Sequence, residues 1–238
     1  MWKSIKQEIC VQRTLFQGGI LIVALAWSIG ILIMMIAMHF MPDEESYFCL
    51  GTVMAMMFGG LIISVMAVFV IVQGFDDAVH MGKTRKKYIP SIFLVNVSAI
   101  FLTLLLARLL LPAESALYGQ IYPELAKEEL PEAFMTLPWL ICYAVAAGGV
   151  TGAAGGAMKA NRKVGGGICM VLWLLICWGI PGIDEENSAG LWFLKAPITM
   201  AANWFLGLPE IGRMGCFLVI GAVGYGIMYF LLRKRATD

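Results

Sequence analysis

The segment DAVHMGKT, Asp77 to Thr84, comes within one residue of the phosphate-cradling pattern G-x-x-x-x-G-K-[ST]. In that pattern a glycine-rich backbone wraps phosphates, the lysine reaches the outer phosphates and the hydroxyl meets magnesium. Here Asp77 stands where the first glycine belongs and puts a carboxylate where phosphate would sit. The pattern also needs a preceding β-strand, and a long apolar run precedes it instead. The chain is expected to bind no nucleotide itself. Its two histidines, His39 and His80, fall at opposite ends of an apolar segment pair and cannot share a metal. A serine-nucleophile pattern G-x-S-x-G fails because its match begins with Ala26, and no H-E-x-x-H is present. The cysteines Cys10, Cys49, Cys142, Cys169, Cys177 and Cys216 form no C-x-x-C pair and read as small apolar residues. No metal site, cofactor site or catalytic constellation is expected.

With chemistry of that kind set aside, the elements carry the argument. Hydrophobic residues make up 60% of the 238 residues and charged ones 14%, against roughly 25% charged in a soluble domain. A soluble chain of this size could not hide so much apolar surface. The expected class is an all-α polytopic membrane protein, a single transmembrane domain over residues 1–238. About 20 apolar residues cross the hydrocarbon core. Six segments qualify, at about 18–41, 47–72, 89–111, 133–158, 164–183 and 214–232. The first is too long for a signal-peptide core of ~7–15 residues, so it is expected to stay as a span. Residues 1–17 carry Trp2, Ile5, Ile9 and Phe16 at roughly helical spacing, with lysines on other faces. That suits a helix lying in the interface.

Charge sets the orientation. One side of the six-span arrangement holds Lys3, Lys6, Arg13, Lys83, Arg85, Lys86, Lys87, Lys159, Arg162, Lys163, Arg233, Lys234 and Arg235. Its acidic residues are Glu8, Asp76, Asp77 and Asp238. The other side holds the triplets Asp43-Glu44-Glu45 and Asp184-Glu185-Glu186 and most other carboxylates. Lys and Arg concentrate on the cytoplasmic side of membrane proteins, so both termini are expected inside. Leu191 to Leu208 tempts a seventh span. Lys195 and Pro197 interrupt it, and a further crossing would put Arg233, Lys234 and Arg235 outside. It reads as a re-entrant or interfacial element before the last span, with Trp192 and Trp204 at headgroup level. Arg108, the one formal charge within the spans, is expected to reach the outer interface, toward Glu114.

Two stretches stand out. In the fourth span, Gly148, Gly152 and Gly156 recur every four residues and bare one helix face for close packing, within the chain or between subunits. Between the second and third spans, QGFDDAVHMGKTRKKY (Gln73 to Tyr88) has the layout of a short docking helix below the bilayer. Phe75, Ala78, Val79 and Met81 are its apolar positions, with Phe75 as an outward knob. Gly82 is its natural stop, and Thr84 can cap the next helix. Lys83, Arg85, Lys86 and Lys87 would lie at the headgroups.

The pattern F-x-x-A-x-x-M-G-x-T-R-K, here Phe75, Ala78, Met81, Gly82, Thr84, Arg85 and Lys86, resembles a motif of permease subunits of bacterial ABC transporters of the type-2 exporter class. The inner end of the fourth span, GGAMKANRKVGGG, is similar to a glycine-rich basic turn of that family. So are the cytoplasmic termini, the interfacial N-terminal helix and the element before the last span. Asp76, Asp77 and His80 make this copy more polar than the usual motif, and Asn161 stands where an aromatic residue is common.

The resemblance implies a six-span permease in the cell membrane, paired with an identical or sister permease and surrounded by lipid. Each copy would be contacted by a separate ATP-binding cassette subunit that holds ATP and magnesium. The coupling helix would comprise Phe75, Asp76, Ala78, Val79, Met81, Gly82, Thr84, Arg85 and Lys86. The cargo would be amphiphilic: a peptide, an antibiotic or a lipid-like molecule. The chain itself would not be an enzyme, and no nucleic acid is implied. The alternative is a channel or secondary transporter without an ATPase. Such carriers usually place ionisable groups at midplane, and these spans are nearly free of charge. A third class, an intramembrane enzyme or assembly factor, lacks a convergent set of nucleophile, base and metal ligands.

Overall fold

The computed structural model describes residues 9, 12–40, 46–80, 84–127, 136–174, 199–201 and 203–234. In chain order these form α1 (Arg13–Phe40), β1 (Ser46–Tyr47), α2 (Leu50–His80), α3 (Arg85–Ile121), β2 (Ala126–Lys127), α4 (Leu137–Ala160), α5 (Arg162–Leu174) and α6 (Glu210–Lys234). Among the described residues five helices, all but α5, are long and apolar enough to cross a membrane. The fifth expected segment, 164–183, is helical as far as Leu174, and its remainder lies outside the described residues. Of the expected interfacial helix, residues 1–8, 10 and 11 also lie outside them, as does 191–198 of the expected re-entrant element. In the rest of that element, residues 199–201 and 203–206 are helical, and Trp204 is exposed.

The helices overrun their apolar segments. At 1.5 Å per residue the 37 residues of α3 reach about 55 Å, well beyond a hydrocarbon core of ~30 Å. The excess continues as helix although Ser115 and Gly119 lie within it, because Glu114, Ala116, Leu117 and Gln120 are good helix formers and one glycine costs only about 1 kcal/mol. Pro112 removes one backbone donor without ending the helix.

The largest interface joins α4 to α6; α2 packs on α1, α3 and α4. Glycines set the closest approaches. Gly30 of α1 lies against Gly51 of α2, where an added Cβ would be 2.5 Å from the Gly51 Cα. Gly149 of α4 lies against Gly221 of α6, 2.6 Å from that Cα by the same measure. Apolar packing then fills the bundle in layers. Ile71, Phe75, Tyr88, Ile92, Met228 and Leu232 form the layer at the basic end. Met34, Tyr47, Cys49 and Tyr118 form the one at the acidic end. Outward faces remain apolar: Ile20, Leu21, Leu25, Ile29 and Leu32 on α1 are all exposed. This is the reverse of a soluble protein and fits hydrocarbon as solvent. One element departs from an all-helical expectation. At the acidic end β1 and β2 pair in parallel over two residues, Ser46 with Ala126 and Tyr47 with Lys127. Tyr47 meets Tyr118 edge to face at 5.3 Å, which seats this short pair on α3.

Candidate functional site

The expected docking stretch is not a separate helix. α2 runs unbroken from its apolar span through Gln73 to His80, and α3 starts at Arg85. Asp77 to His80 are thus the last turn of a long helix, not a loop after a strand. Met81, Gly82 and Lys83, and with them the expected stop at Gly82, lie outside the described residues. Thr84 does occupy the N-cap position of α3, with extended backbone (φ −71°, ψ 137°), but its side chain makes no capping hydrogen bond.

Phe75 requires a correction. Expected as an outward knob, it is 2% exposed. Its ring meets Tyr88 of α3 edge to face at 5.8 Å, and it belongs to the packed layer with Met228 and Leu232 of α6. The cause is helical periodicity. Ile63, Ala67, Ile71, Phe75 and Ala78 recur every three or four residues, and all are buried. The core face of the span continues past the span, and Phe75 is on it. Ala78 is buried with it, and Val79 is half-buried against the same layer. What this elbow offers outward is polar: Asp76, Asp77, His80, Thr84, Lys86 and Lys87 are exposed.

Two polar ties cross the basic end. Asp76 at the end of α2 forms an ion pair with Lys159 at the end of α4. Arg85, half-buried at the start of α3, donates from Nη1 to the Arg233 carbonyl oxygen of α6 at 3.4 Å. A cation at a helix C-terminus also meets the negative end of the helix dipole. The elbow between α2 and α3 is therefore joined to α4 and α6 by one polar contact each among the described residues, with Phe75 packed beneath.

The glycine stripe is spent inside the chain. Gly148, Gly152 and Gly156 are buried. A Cβ at Gly148 would strike Val97 of α3; at Gly152 it would lie 3.0 Å from the Met228 sulfur, and at Gly156 3.3 Å from the Met228 Cα. The same helix also uses Gly149 against Gly221 and Gly155 against Ile71.

No protein-family model matches this chain, and neither a curated protein nor a solved structure matches it. The functional reading accordingly rests on the chain's own residues.

The acidic end holds a site that sequence reasoning missed. Glu114 of α3 is fully buried. Its Oε1 accepts from the Gly51 backbone N–H at 2.8 Å. Its Oε2 accepts from the Thr52 N–H and the Thr52 hydroxyl, both at 2.7 Å, and from the Trp27 indole at 3.2 Å. Those backbone donors are the otherwise orphaned first N–H groups of α2, so the carboxylate caps that helix from another one. The expected pairing with Arg108 does not form among the described residues. At 100° per residue, positions six apart are about 240° around the helix, so the two side chains leave on different faces. The available signal was a lone carboxylate one turn beyond an apolar run, after Pro112. A second contact of this kind links α4 to α6: Trp139 donates its indole N–H to Glu210 at 2.9 Å, with the Arg213 guanidinium 5.8 Å from its ring centroid.

Proposed function

We propose that this chain is a multi-pass permease subunit with both termini in the cytoplasm. It would move an amphiphilic substrate across the cell membrane using ATP hydrolysed by a separate subunit. The observation that carries the reading is the α2–α3 elbow. It contains the motif Phe75 to Lys86, which resembles the coupling segment of type-2 ABC exporters. It lies at the end of the bundle where Lys and Arg concentrate, and it is tied to α4 and α6 by Asp76–Lys159 and Arg85–Arg233.

In this reading the exposed polar face of the elbow, including Asp77, His80 and Lys86, receives the ATPase subunit. Phe75 acts beneath it. A displacement of the elbow presses an aromatic ring already packed on Tyr88, Met228 and Leu232, so it is passed to α3 and α6 rather than absorbed in a loose loop. Glu114 and Trp139 fix the opposite ends of the same helices, so an inward push at one end turns into a tilt against those fixed points.

A photo-cross-linker at Asp77 or His80, in native membranes, tests the reading. A covalent adduct with an ATP-hydrolysing polypeptide is expected. Adducts with lipid alone, or none at either position, would count for a carrier or channel that needs no such partner.

A further inference from the structure

Between α4 and α6, among the described residues, runs a groove with a cavity volume of about 680 Å³, open along one side. Val150, Ala153 and Ala157 line it from α4, and Val223, Ile227 and Leu231 from α6; Val164 of α5 closes the basic end. Asn161 is the polar residue among its lining side chains. The groove exists because α4 presents alanines where α6 presents larger branched residues, and the glycine contacts hold the two backbones together beside it. From Val150 to Ala160 the groove runs about 15 Å along α4 at 1.5 Å per residue, half of a ~30 Å hydrocarbon core. It is one leaflet deep.

Its basic end is charged. Asn161 caps α5, its Oδ1 accepting from the N–H groups of Lys163 at 3.1 Å and Val164 at 3.3 Å. Arg162 and Lys163 follow and are exposed. Arg233, two residues past the groove-lining Leu231, is also exposed, its guanidinium 5.8 Å from the Tyr229 ring centroid. Asp76, a carboxylate at this end, is engaged by Lys159. The positive end of the α5 dipole adds to the same sign.

We propose that this groove holds one acyl chain of an anionic phospholipid from the leaflet on the basic side, with its phosphate held by Arg162, Lys163 and Arg233. An apolar face in a bilayer gains nothing from hydrophobic effect alone, because lipid tails are as apolar as the face. Retention of a particular lipid needs a concave seat and a charge match, and both are present here. A basic pocket between membrane helices is the recognised form of an acidic headgroup site. The proposal rests on the helices crossing a membrane and not on ATP-driven transport.

Native mass spectrometry of the full chain in mild detergent tests it, before and after delipidation and re-addition of lipid. Phosphatidylglycerol and phosphatidylcholine with identical acyl chains are the probes. One phosphatidylglycerol per chain is expected, retained at least tenfold better than phosphatidylcholine. Arg162→Gln with Lys163→Gln, both at exposed positions, should erase that preference and leave the protein's thermal stability in place. Ala157→Phe should exclude both lipids by filling the floor. Overturning results are absence of bound lipid, equal retention of the two lipids, or a preference that survives the double glutamine variant. A dimer that Ala157→Phe converts to monomer without any lipid change would assign the groove to a second copy instead.

Discussion

Phe75 and Glu114 show how one residue's role follows from the helix face it occupies. Phe75 lies in register with Ile71 and Ala78, so its ring is committed to the core between α2, α3 and α6. Replacing it with alanine removes most of a buried aromatic side chain, which costs about 3 kcal/mol or more in a packed interior. The expected outcome of Phe75→Ala is a lower melting temperature in detergent and, under the proposed function, weakened coupling. Phe75→Leu, which keeps most of the volume, should restore much of both. An alanine variant with unchanged melting temperature would mean that the ring is not buried in solution. Glu114 is the opposite case, a buried charge made tolerable by four donors. Removing it strands the first N–H groups of α2 in an apolar setting. Glu114→Ala should destabilise by about 3 kcal/mol, since bonds to charged groups contribute ~1.5–3 kcal/mol and stranded donors add their own penalty. Thermal unfolding followed by tryptophan fluorescence reads this directly, because Trp27 donates to the same carboxylate. Glu114→Gln should cost less, since its amide oxygen still accepts.

The elements were legible in the sequence to the extent that the membrane dictates them. Runs of apolar residues at bilayer length locate α1, α2, α3, α4 and α6, because backbone groups in hydrocarbon must close their own hydrogen bonds. The ends were not legible. α2 was expected to stop near Val72 and α3 near Leu111, where the apolar runs end, yet both helices continue through Gly74 and through Pro112 and Gly119, because a single such residue weakens a packed helix without ending it. That continuation turned the expected docking helix into the last turns of α2 and placed Phe75 indoors. The Gly148, Gly152 and Gly156 stripe was visible as a close-packing face; its neighbours in space, Val97 and Met228, were not, because partner helices are set by tertiary structure. The same packing yields an element-scale contrast. Gly149→Ala sets a Cβ 2.6 Å from the backbone of Gly221, and backbone cannot swing aside. It should cost about 1–3 kcal/mol, the usual penalty of overpacking. Gly226→Ala on the facing helix meets nothing within 4 Å. It should be neutral or stabilising by up to ~1 kcal/mol, the helix-propensity gain over glycine. Paired melting curves of the two variants check the difference, and equal effects would show that α4 and α6 do not meet at Gly149.

At the scale of the whole molecule, Lys and Arg concentrate at one end of the bundle, and most of the sequence's carboxylates are expected at the other. An ion pair, a hydrogen bond and a helix elbow tie the former together, and the buried Glu114 and the Trp139–Glu210 hydrogen bond tie the latter. In the proposed orientation that bias puts the basic end in the cytoplasm. Single cysteines at Glu45, Glu128 and Glu185 should then react with an impermeant maleimide from outside intact cells, and ones at Lys86, Arg162 and Thr237 should not. Outside reaction at Thr237, with the others unchanged, would demand an additional crossing between Leu191 and Leu208. The proposed function requires an ATPase that is a separate polypeptide. Gentle isolation of the native complex, with its mass and ATP hydrolysis measured on the same sample, tests that most directly. The expected result is two permease chains with a stoichiometric soluble-type ATPase, and hydrolysis that falls when the Phe75→Ala chain replaces the natural one. A chain that isolates by itself or with its own copies alone, from membranes where it is active, and carries no ATP hydrolysis would contradict it.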